Sequence, residues 1–94
     1  MIDPDLTILN KKLKSAFNII FDQINNKETK TERVELRRIS LHWLFHETKK
    51  TTTDIAFLIG TSNENVIHDI QMTRELIKRD KDFIIKYEQL KSEY

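Results

Sequence analysis

Glycine and proline occur once each in this chain of 94 residues. That scarcity constrains the fold more than any other feature of the sequence. Tight turns between strands draw on residues that reach positive φ or hold φ fixed, and this chain has almost none to offer. Long helices need neither. Charged residues make up 33% of the chain. They are interleaved with Leu, Ile and Phe at three- and four-residue steps, the spacing of helices that bury one face. The fold class expected is therefore all-α, a five-helix domain with a central helix-turn-helix and a long N-terminal helix. The length suits one compact unit. Within it, residues 1–30 are expected to form an N-terminal amphipathic helix and linker, and residues 31–94 a helix-turn-helix domain.

Several function classes are disfavoured by what the chain lacks. It has no cysteine, so disulfides and thiolate chemistry are excluded, and a reducing, cytoplasmic setting fits. Its N-terminus carries Asp3 and Asp5 with no basic stretch before an apolar one, unlike a signal peptide. No apolar run approaches the ~20 residues of a membrane span, so no membrane association is expected. There is no nucleophile–base–orienter set and no pair of carboxylates placed to flank a cleft. We therefore expect no enzyme, no catalytic residues, no cofactor and no small-molecule substrate. His42 and His46 lie four apart on one helical face, a spacing that metal pairs use. No third ligand accompanies them, so no metal is expected. They read as surface or boundary histidines, with Glu35 and Arg38 on the same side as partners. The net charge is +1, and no segment is strongly basic, so no basic stripe advertises nucleic acid.

Along the chain, Asp3-Pro4-Asp5 reads as a helix start: a capping carboxylate, a proline at the first helical position and an acid beside the positive helix end. Leu6, Leu9, Leu13, Phe17, Ile20 and Ile24 then form one stripe over about 20 residues, or ~30 Å of helix. The stripe has two uses, core packing or a homodimer seam. A polar stretch from Asn25 to Thr31 reads as a loop and hinge. A second helix is expected from about Glu32 to Glu47, capped by Thr31. Val34, Leu36, Ile39, Leu41, Trp43, Leu44 and Phe45 surround much of it, which marks a central helix with Trp43 in the core. After a polar connection, a short helix is expected from about Thr53 to Ile59, then Gly60-Thr61-Ser62, then a longer helix to about Arg79. Asp80 caps a last helix bearing Phe83, Ile84, Tyr87 and Leu90.

The stretch around Gly60 satisfies one geometric scheme. Ala56 is small enough to let a following helix approach. Gly60 opens the turn, where other residues would be strained. Ser62 stands where the second helix needs an N-cap. Val66, with Ile55 and Ile59, locks the pair.

From Arg37 to about Leu90 the chain resembles the C-terminal DNA-binding domain of the bacterial replication initiator DnaA, whose helix-turn-helix is similar to that of the Trp repressor. The family's aromatic-Leu-x-x-Glu helix end is matched by Trp43-Leu44-Phe45-His46-Glu47. Its Glu-Ile-Gly-x-x-Phe-Gly helix is echoed by Asp54-Ile55-Ala56-Phe57-Leu58-Ile59-Gly60. Its Arg-Asp-His-Thr-Thr-Val-x-His signature falls on Thr61-Ser62-Asn63-Glu64-Asn65-Val66-Ile67-His68. The alignment needs two single-residue gaps. Val66 and His68 match, whereas Thr61 stands at an Arg position and Glu64 at a Thr position. No Gly-rich phosphate loop is present, so the family's ATPase region is not represented. The resemblance implies an all-α fold and double-stranded DNA as partner.

On that implication, the helix after Ser62 enters the major groove, with Ser62, Asn63, Asn65 and His68 toward base edges. Lys49 and Lys50, and the hydroxyls or amides of Thr52 and Thr53 at a helix start, reach phosphates. Glu64 and Asp69 lie where the phosphate backbone would approach and would oppose it. The alternative is a protein–protein interaction adaptor on the same scaffold, docking or dimerising through the N-terminal helix.

Overall fold

The computed structural model describes residues 3–24 and 31–92. Six helices run through them in the order α1 (Pro4–Phe17), α2 (Phe21–Ile24), α3 (Thr31–His46), α4 (Thr52–Ile59), α5 (Asn63–Arg79) and α6 (Lys81–Ser92). No strand occurs among the described residues, so the all-α class expected from the sequence is what the chain adopts. Of the loop expected from Asn25 to Thr31, residues 25–30 lie outside the described residues, as does the residue that would cap α3. The helix itself already includes Thr31, which was expected to be that cap.

The N-terminal helix is shorter than its apolar stripe suggested. Asp3 caps it as expected, its Oδ1 accepting from the amides of Asp5 and Leu6 at 2.9 and 3.2 Å. The helix then stops at Phe17, because Asn18 takes a left-handed conformation (φ 57°, ψ 40°) and donates its N–H to the Lys14 carbonyl. Asparagine tolerates that region where most residues do not. The chain restarts as α2, with Asn10 Oδ1 accepting from the Phe21 amide at 2.8 Å and Gln23 Oε1 from the Ile20 amide at 3.0 Å. The break rotates the stripe, so Phe21 is buried in place of Ile20, which is 39% exposed.

α3 is the hub and touches each of the other five helices. Its hydrophobic residues are spread around the axis, and Leu36, Ile39, Leu41, Trp43 and Leu44 are all buried. Leu9 and Leu13 of α1, Phe21 and Ile24 of α2, and Phe83, Tyr87 and Leu90 of α6 close on it to form one core. Leu9 and Leu13 of the α1 stripe are thus buried within the chain, and Leu6 and Phe17 partly so. Lys12 is carried into this packing by its stem. Its Nζ donates to the Lys91 carbonyl at 3.1 Å and lies 5.9 Å from the Trp43 ring centroid.

Of the two histidines expected at the surface or boundary, His46 is exposed and His42 is not. His42 is buried, its Nδ1 2.8 Å from the Tyr87 hydroxyl. Its ring stacks on that of His46 with centroids 5.5 Å apart. Burial, and then the charge of His46, push the His42 pKa down to about 4. Burial likewise raises the Tyr87 phenol. At neutral pH both groups are therefore uncharged and share one hydrogen bond, whose direction follows the imidazole tautomer. Glu35 and Arg38 have other partners: Glu35 pairs with Lys86 at 3.4 Å and Arg38 with Asp69 at 3.7 Å. Among the described residues no group of three or more His, Cys, Asp or Glu side chains could hold a metal ion. No described helix is long and apolar enough to cross a membrane.

Candidate nucleic-acid interface

The turn between α4 and α5 is assembled by local hydrogen bonds. Thr51 caps α4 by accepting from the Asp54 amide at 3.1 Å, and the helix starts at Thr52, one residue earlier than expected. Gly60 ends it at φ 73°, ψ 40° and returns its N–H to the Ala56 carbonyl. The Thr61 amide donates to the same carbonyl at 3.0 Å. Both bonds fall on the Ala56 carbonyl, and the left-handed glycine reverses the chain. Ser62 then caps α5, its hydroxyl accepting from the Asn65 amide at 3.2 Å. Ile55, Ala56 and Val66 are buried at the α4–α5 contact, and Ile70 continues the seam one turn further on. The α5 helix packs most extensively against α3 and α4, which fixes the face it turns outward.

That outward face carries Glu64, Asn65, His68 and Gln71, all exposed. Asn65 is steadied by donating from Nδ2 to the Thr61 hydroxyl at 3.0 Å. This leaves its Oδ1 and one amide proton for a partner. Ser62 is exposed too, but its oxygen is already engaged as the cap. Asn63 is only half-buried, and its Oδ1 is buried without a hydrogen-bond partner among the described residues. Sequence reasoning missed Gln71. The helical spacing from Glu64 through His68 points to it directly.

The structure redistributes the charges expected around the turn. Lys49 is exposed and left-handed at φ 63°, which projects it from the loop. Lys50 is held by Asp3 at 3.0 Å and by Asp5 at 3.3 Å. The hydrogen bond from Lys50 holds the Asp3 carboxyl below the usual range, and Asp3 in turn raises the Lys50 ammonium. Thr53 is exposed and Thr52 half-buried at the start of α4. Asp69 was expected to face approaching phosphates. Instead its side chain is 13% exposed and sits between Arg37 and Arg38, 3.7 Å from each, tying α5 to α3. Glu64 remains on the outward face as expected.

Fold and surface define the class as an all-α protein that presents the outer face of a tightly turned helix pair. By sequence, the chain is similar to the chromosomal replication initiator protein DnaA of Aliarcobacter butzleri (strain RM4018), with 31% identity over 91 residues. The match takes in 88% of this chain and 21% of that protein, so the chain spans about a fifth of its relative's length. The resemblance to DnaA read from the residues is thereby shown. No protein-family model matches the chain, and no solved structure matches it.

Proposed function

We propose that the chain is a duplex DNA-binding domain of helix-turn-helix type acting in replication or transcription control. Residues 31–94 form the binding unit and α5 is its recognition helix. One observation carries the reading. The pair locked by Ile55, Ala56 and Val66 keeps the first turns of α5 outward, with Asn65, His68 and Gln71 exposed on them. A helix presented in this way fits the major groove, where its N-terminal residues meet base edges. Asn65 supplies the amide that pairs with adenine, and His68 and Gln71 extend the contact. Ser62 and Asn63 border it. Lys49, Thr52 and Thr53 meet the phosphates on the near side, and Lys50 joins them by exchanging its carboxylates. The similarity to a replication initiator supports this reading.

A second reading, a protein-interaction adaptor, is favoured by Phe57. It is 89% exposed on the outer side of α4, an unusual setting for a phenylalanine. Fluorescence anisotropy with mixed duplex DNA across a salt series separates the two. DNA binding predicts an affinity that falls steeply as salt rises, because neutralised phosphates release counterions. It also predicts that Asn65→Ala alters preference among duplexes, whereas Lys49→Glu weakens all of them alike. Absence of binding at low salt leaves the adaptor.

A further inference from the structure

A second concave surface opens between α3, α5 and α6, well away from the turn. It is open to solvent and spans about 410 Å³, within the ~300–1,000 Å³ usual for ligand sites. Ile77, Ile84 and the Tyr87 ring give it apolar walls, and His42 lies at its α3 side. At that side the His42 Nδ1 and the Tyr87 hydroxyl are hydrogen-bonded to one another.

The two rims differ in charge. On α6, Lys91 is shared between Glu47 at 3.4 Å and Glu88 at 4.0 Å, which leaves that rim with an excess of negative charge. On α5, Arg74 and Lys78 stand one turn apart on the same edge. Arg74 lies 5.6 Å from the centroid of the Phe45 ring. Neither Arg74 nor Lys78 has an ion-pair partner among the described residues. Two uncompensated cations beside apolar walls focus their field into the concavity. The complementary ligand carries one anionic group and an apolar body. A carboxylate matches the guanidinium fork better than a point charge does.

We propose that this cleft binds a small organic carboxylate with an aromatic or branched apolar body. Its carboxylate rests on Arg74 and Lys78, and its body lies against Ile77, Ile84 and Tyr87. The proposal does not rest on the DNA-binding reading: Arg74 lies roughly 16 Å along α5 from Asn63, and it is one turn beyond Gln71, where the two surfaces adjoin.

The test is a titration of the full chain with phenylacetate, phenylacetamide and inorganic phosphate, followed through the ring resonances of His42, His46 and Tyr87 by NMR. Phenylacetate is expected to shift these rings saturably in the millimolar range. The amide lacks the charge and phosphate lacks the body, so each should bind at least fivefold more weakly. Arg74→Gln with Lys78→Gln should weaken phenylacetate at least tenfold while circular dichroism is unchanged. Lys78→Gln alone should weaken it about threefold, which keeps the test decisive if the double variant does not fold. Equal binding of acid and amide, retention of binding by a folded Arg74 and Lys78 variant, or no saturable shift of these rings would overturn the proposal. So would a shift of the same rings by duplex DNA that is lost with Arg74 and Lys78, because those cations would then be phosphate contacts.

Discussion

At Gly60 the backbone is at φ 73° and a Cβ would meet nothing within 4 Å. The cost of replacing this glycine is therefore conformational and not steric. Gly60→Ala is expected to lower stability by about 1 kcal/mol, and Gly60→Asn by less, since asparagine tolerates the left-handed region. Urea denaturation of the three proteins measures the order, and an alanine variant as stable as the parent would refute it. His42 gives a second prediction. Its pKa is about 4 in the fold against an ordinary value of 6.5. Between these values the unfolded chain binds more protons than the folded one, so acid favours unfolding. The His42 contribution is fully present above about pH 6.5 and is lost as pH falls toward 4, by at most ~3 kcal/mol. His42→Gln should flatten that decline in a pH series of denaturation midpoints. Gly60 and Ser62 were legible in the sequence because each acts on residues within five positions of itself. The settings of His42 and Asp69 were not. Their partners, Tyr87 for one and Arg37 and Arg38 for the other, are brought to them by tertiary packing alone.

Elements with strong local punctuation were read nearly to the residue. The α4 and α5 helices carry a cap, a glycine stop and a second cap in sequence, and Asp80 caps α6 by accepting from Asp82 and Phe83. The first helix was misread beyond Phe17. Its stripe continues through Ile20 and Ile24 at helical spacing, and periodicity does not register a single left-handed asparagine. The break matters for how α1 is used. Leu9 and Leu13 are fully buried against the chain's own core, so these two serve packing. Leu13→Ala is expected to cost about 2–5 kcal/mol through lost burial and the cavity left behind. The sedimentation coefficient of the folded protein should not change. A variant of unaltered stability that sediments as a smaller species would instead place Leu13 at a seam between copies.

Over the whole molecule the net charge of +1 conceals a local arrangement that bears on DNA binding. The acidic start of α1 lies against the loop that precedes α4, and Lys50 is shared between Asp3 and Asp5. A lysine held this way contributes little to phosphate neutralisation until a carboxylate lets go. Asp3→Asn with Asp5→Asn removes both charges, and Asn at position 3 still offers an oxygen to cap α1. The pairs are partly solvent-exposed, so the stability lost is small, within about 1 kcal/mol. The affinity for duplex DNA at low salt should rise several-fold, and the slope of log affinity against log salt should steepen by about 0.9, the value of one further phosphate contact. Adding Lys50→Gln distinguishes the released lysine from a general rise in positive charge. Removing two acids acts at long range whatever Lys50 does, whereas a contact at Lys50 disappears with its ammonium. The steeper slope should therefore revert in the triple variant. A gain that persists without Lys50 would mean that the acids act through the overall field, and that the loop lysine takes no part in holding phosphate.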